Sequence, residues 1–137
     1  MENHRKFNNS ELISMINDCT LAPSNFTHEA HLRLAWIYLN NYELHEAIEH
    51  VNDLIFRYVA FLGAANKYNK TLTTAAIYMV FHFMNKSRFN TFEDFIAEFP
   101  RLKYNFKDLM ACHYGFDIYN SENAKKEFLA PDLLPFS

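Results

Sequence analysis

The 137-residue sequence is 50% apolar and 17% aromatic, holds two Gly and four Pro, and carries a net charge of −3. That length suits one domain with one core. The scarcity of turn residues excludes a many-turned sandwich or barrel, and the mild acidity without a dense Lys/Arg cluster excludes a protein that tracks nucleic-acid phosphates.

Residues 1–8 read as a flexible lead-in, and Asn9 or Ser10 as the cap of a first short helix carrying Leu12, Met15, Ile16 and Cys19 at helical spacing. Pro23 and Ser24 break that pattern. Thr27 then offers a hydroxyl to an orphan backbone N–H, and Glu29 complements the positive end of a new helix running to Asn40–Asn41. A longer helix follows from about Glu43 to Leu62, with Gly63 suited to the left-handed position beyond its end; Glu43, His45, Glu46, Glu49 and His50 form its solvated face. After the link 64–70, an almost wholly apolar helix spans about Thr71 to Lys86, with Thr71 as its natural cap. Thr91 and Asp94 open a short helix that Pro100 ends, Phe106 to His113 form another, and Ser121 caps a last one through Phe128. The prolines of residues 129–137 forbid a helix there, and its Leu and Phe side chains predict a tail lying on the body. The expected architecture is all-α, a compact single-domain antiparallel helical bundle of about five to seven helices over residues 1–137.

Cys19 and Cys112 form neither a CxxC motif nor a disulfide framework, and read as small buried apolar residues. No apolar run reaches the roughly 18 residues of a spanning helix, and residues 1–6 lack a signal-peptide core. A cytoplasmic protein with no membrane and no nucleic-acid partner is the expectation.

Chemistry concentrates in the helix that starts at Thr27. His28 and His31 lie three residues apart, with Ala35 and Tyr38 on the same row and Leu32, Trp36 and Leu39 beside it. Two imidazoles on or near a buried face need hydrogen-bond partners or a metal, because an unpaired buried polar group is costly. They are the metal candidates, as an i, i+3 pair can meet at one ion, but two ligands do not close a site. By residue type alone Glu29, His82, Asp108, His113 and Asp117 are the available additions, and neither HExxH nor a repeated ExxH is present. A transition metal is therefore not favoured.

His28 and His31 are equally candidates for general acid–base catalysis, an ordinary imidazole titrating near pH 6.5. Trp36, Tyr38, Tyr68, Asn69, Thr71 and Thr73 are the candidate ligand-binding residues around them, and a small molecule is the implied partner. In the competing reading the histidines are structural, and exposed aromatics serve a homodimer or another protein contact.

Three segments, Phe26-x-His28-x-x-His31-x-x-x-Ala35-Trp36-x-Tyr38-Leu39, Lys67-Tyr68-Asn69-Lys70-Thr71-x-Thr73 and Ala130-Pro131-Asp132-Leu133-x-Pro135, resemble a family of small, uncharacterised helical bacterial proteins. The resemblance runs from about Phe26 to Phe136. It implies domain extent more than chemistry, because the family has no established activity. Where that family commonly reads Tyr-His-Glu-Thr, this chain has Tyr68-Asn69-Lys70-Thr71. Had the His-Glu pair served as metal ligands, both are lost here and a positive charge is gained.

Overall fold

Side-chain caps open five of the eight described α-helices in the computed structural model, which describes residues 2–136. Among these residues every regular element is helical and none is a strand, so the all-α expectation holds. The chain packs as two compact units, Met1–Tyr68 and Asn69–Ser137.

The first unit holds helices α1 (Asn9–Asn17), α2 (His28–Asn41) and α3 (Leu44–Phe61), with 3-10 turns at Asn3–Lys6, Pro23–Asn25 and Ala65–Lys67. Asn8, one residue earlier than expected, caps α1. Its side chain accepts from the Glu11 N–H at 2.8 Å while Glu11 accepts from the Asn8 N–H at 2.9 Å, a reciprocal pair that satisfies two orphan donors. Thr27 caps α2 as its hydroxyl predicted, accepting from the Ala30 N–H at 3.2 Å. Both α1 and α2 pack on α3. Leu12, Ile16, Leu32, Leu34, Ala47, Val51, Ile55 and Tyr58 are buried, and the Tyr58 hydroxyl donates to the Leu21 carbonyl at 2.6 Å.

Residues 3–6 correct the expectation of a flexible start; Met1 lies outside the described residues. They form a 3-10 turn, and His4 within it is fully buried. A polar tetrapeptide is ordered here because its charged partner, Glu29, is about 25 residues away, a signal that local periodicity does not carry.

Helices α1 and α3 end in the same hydrogen-bond pattern. Cys19 and Thr20 donate to Ile16 and Met15, as Gly63 and Ala64 donate to Ala60 and Val59, and the turning residues have φ of +59° and +75°. Gly63 occupies that left-handed position without strain, whereas the Cβ of Cys19 does not. Cys19→Gly is expected to raise the unfolding free energy by about 0.5–1 kcal/mol, read as a higher thermal midpoint. A lower midpoint would show that thiol packing outweighs the backbone strain.

The second unit contains α4 (Lys70–Met84), α5 (Phe92–Glu98), α6 (Arg101–Tyr104), α7 (Phe106–His113) and α8 (Glu122–Lys126). Asn69, not Thr71, caps α4: its side-chain oxygen accepts from the Leu72 N–H at 2.9 Å. Thr91 and Ser121 cap α5 and α8 as read from sequence, although α8 stops at Lys126. Pro100 ends α5 and also caps the four-residue α6, a proline at a helix start costing no hydrogen bond. Helix α4 packs on α8, and α6 on α7.

The non-helical tail is fastened to this unit. Leu133 N–H donates to the His113 carbonyl at 3.0 Å, the His113 Nδ1–H donates to the Leu134 carbonyl at 2.6 Å, and Phe136 stacks on Tyr78 with ring centres 4.9 Å apart. Ser137 lies outside the described residues.

Candidate functional site

Every residue of α2 from Glu29 to Ile37 is buried except His31, which is partly so. Two of those buried residues, Glu29 and Arg33, carry full charges, and burying a charge is costly unless it is paired and hydrogen-bonded. The N-terminal segment supplies the partners. Arg5 grips Glu29 as a fork, Nε to Oε2 at 2.9 Å and Nη2 to Oε1 at 2.7 Å, and His4 Nε2 lies 2.6 Å from the same Oε2. Arg33 donates to the His4 carbonyl at 2.8 Å, the Phe7 carbonyl at 2.7 Å and Asn9 Oδ1 at 2.9 Å. Glu2 accepts from the Thr27 hydroxyl at 2.6 Å, so the α2 cap is also tied to this segment.

The tautomer of His4 follows from its neighbours. Arg33 Nη1 lies 3.2 Å from His4 Nδ1, and a guanidinium only donates, so Nδ1 carries the lone pair and Nε2 the proton given to Glu29. Burial is the largest influence on this imidazole and lowers its pKa; Arg33 lowers it further, while Glu29 and Glu2 oppose. His4 is neutral at pH 7.

Glu2, His4 and Glu29 are, among the described residues, the one group of three His, Cys, Asp or Glu whose ligand atoms lie within 4.8 Å of one another. The donor set nonetheless does not fit a metal. A histidine ligand gives a lone pair to the ion and an N–H to its outer partner, the reverse of the arrangement imposed by Glu29 and Arg33. Both Glu29 oxygens already accept from Arg5, and the 2.6 Å N–O separation is that of a hydrogen bond, tighter than the roughly 3.3 Å between two ligands of a tetrahedral ion about 2 Å from each. The cluster is an ion-paired anchor.

His31 has the opposite tautomer. Its Nδ1 lies 2.7 Å from the Thr27 carbonyl and must donate to it, leaving a lone pair on Nε2. Phe26 lies against the ring, with centres 3.8 Å apart and planes at 21°. Burial lowers the His31 pKa to about 4; the Thr27 carbonyl opposes that change and neighbouring His28 adds to it. Among the described residues Tyr119 Oη is the one buried side-chain N or O atom without a partner, and His31 as a whole is partly buried. His28 is exposed, and neither His28 nor His31 belongs to a group of three close ligating residues among those described.

The remaining candidates have defined local roles. Trp36 is buried, and Tyr38 stacks with Tyr42 and His50 at 5.7 and 5.8 Å. Tyr68, in the first unit, donates its hydroxyl to Asn52 Oδ1 at 2.5 Å, and burial raises its pKa to about 12. In the second unit Asn69 caps α4 and donates to the Ile118 carbonyl at 2.7 Å, while Thr71 donates to the Glu127 carbonyl at 2.8 Å and accepts from the Leu129 N–H at 3.0 Å. Both therefore have structural roles in the second unit; Thr73 is partly buried on α4.

Comparison with protein-family models, curated proteins and solved structures gives no match to this chain. Among the described residues no helix is long and apolar enough to cross a membrane.

Proposed function

We propose that this is a small-molecule-binding protein whose site is the first turn of α2, where His31 Nε2 accepts a hydrogen bond from the ligand beside His28. The observation that carries this reading is the fixed tautomer of His31, with Nδ1 committed to Thr27 and a lone pair left on Nε2. An imidazole with a pKa of about 4 is neutral at pH 7 and a poor proton acceptor there, which favours binding over acid–base catalysis. The burial that keeps His31 uncharged also works against a cation, as does the positive end of α2. A neutral ligand bearing an O–H or N–H donor is thus favoured over a transition metal, with the Phe26 ring as an apolar wall. The chain fits a cytoplasmic, degenerate member of the family it resembles, since Asn69 serves the α4 cap at the position of the family histidine.

Titration with phenol and with benzamide, followed on the His31 ring nitrogens by NMR, tests this. A selective His31 Nε2 shift at about millimolar probe, kept in His50→Ala, is the expected result. Unmoved His31 resonances would overturn it.

A second reading, a non-catalytic interaction or homodimerising module, draws on α3, where Phe56 and Phe61 are 47% and 69% exposed. Sedimentation that depends on concentration in the native chain and not in Phe61→Ser would favour it.

A further inference from the structure

We propose that residues 2–7 form a proton-released clasp on the first turn of α2: neutral His4 and Arg5 hold the segment on Glu29, and protonation of His4 frees it. The clasp is independent of the ligand reading above. Its basis is what surrounds the His4 ring.

One nitrogen faces Glu29 Oε2 at 2.6 Å and the other faces Arg33 Nη1 at 3.2 Å. Among the described residues the charged groups around it are Glu2 and Arg5 on its own segment and Glu29 and Arg33 on α2, with uncharged Asn9 of α1 and Thr27 also in the network. Among the described side chains the two carboxylates and two guanidiniums balance while His4 is neutral. A proton on Nδ1 would set an N–H against the donor face of Arg33 inside a residue that is fully buried. Stronger attraction to Glu29 opposes this, but burial is the largest influence and favours the neutral ring.

Release relieves the conflict, because the freed ring is hydrated and titrates near its ordinary pKa. It also exposes little apolar surface, since His4 is the only buried residue between positions 2 and 7. The apolar residues of α1, Leu12 and Ile16, need not move. A segment held mainly by polar contacts at a chain end is the kind that opens locally, below the free energy of global unfolding.

Backbone 15N relaxation on the intact protein tests the clasp. Order parameters for residues 3–7 are expected to fall from about 0.85 at about pH 7.5 to below about 0.6 at about pH 4.5, while Leu12, Leu34 and Tyr58 stay rigid. The loss should share one midpoint, below about pH 6.5, with titration of the His4 ring. His4→Gln offers Glu29 a donor and Arg33 an acceptor without titrating, and should keep the segment ordered throughout. Order retained while His4 protonates would overturn the proposal, as would the same pH-dependent loosening in His4→Gln. If His4→Gln is loose at every pH, the two wild-type midpoints decide: coincidence supports the clasp and separation refutes it.

Discussion

Glu29→Ala is expected to lower the unfolding free energy by about 3–5 kcal/mol, one of the two largest effects of any single change in this chain. The Glu29 side chain is 0% exposed and accepts from both His4 and Arg5, so its removal takes away the carboxylate that the buried imidazole N–H and the Arg5 fork share. Arg5→Ala should cost less, about 1 kcal/mol, because the Arg5 side chain is 33% exposed and part of its interaction is already shared with water. Urea unfolding of the two variants decides the matter. Equal losses would mean that the fork itself, and not the burial of Glu29, sets the energy.

The second large effect is acid destabilisation through His31. Its pKa is about 4 in the folded protein against an ordinary 6.5, so between those values the unfolded chain binds the extra proton and the folded chain does not. Stability therefore falls as pH drops through that window. The loss reaches roughly 3 kcal/mol by pH 4, since each pH unit crossed costs up to about 1.4 kcal/mol. His4 adds to the slope with the same sign, its folded pKa also lying below 6.5. His31→Gln should flatten the curve between about pH 6.5 and pH 4 while leaving the His4 contribution. An unchanged slope would place the titration on other groups.

The helical skeleton was legible where a local rule decides it. Thr27, Gly63, Thr91 and Ser121 each mark an end through a side chain or φ value acting within three or four residues, and all four stand where the sequence puts them. Asn69 and Thr71 show the limit of such rules. Either can cap a helix by residue type, but only tertiary structure reveals that Thr71 is occupied by Glu127 and Leu129 and that Asn69 also reaches Ile118. The candidate site divides in the same way. His28 and His31 stand out by spacing, and the Thr27 carbonyl that fixes the His31 tautomer is one helical turn away. The anchor beside them was hidden. Glu29 and Arg33 have the spacing of an ordinary solvent-facing i, i+4 pair, and His4 and Arg5 sit in a segment with no apolar rhythm. Nothing within one helical turn of either pair shows that they meet.

The way Arg33 holds the N-terminal segment sets which positions can drift. Two of its strongest bonds go to the main-chain carbonyls of His4 and Phe7, which every amino acid possesses. Position 7 can then change its side chain without loosening this grip, whereas position 33 cannot exchange its guanidinium even for the amine of Lys, which lacks the planar fork spanning two carbonyls and Asn9. A library randomised at both sites should recover many residues at 7 and one at 33.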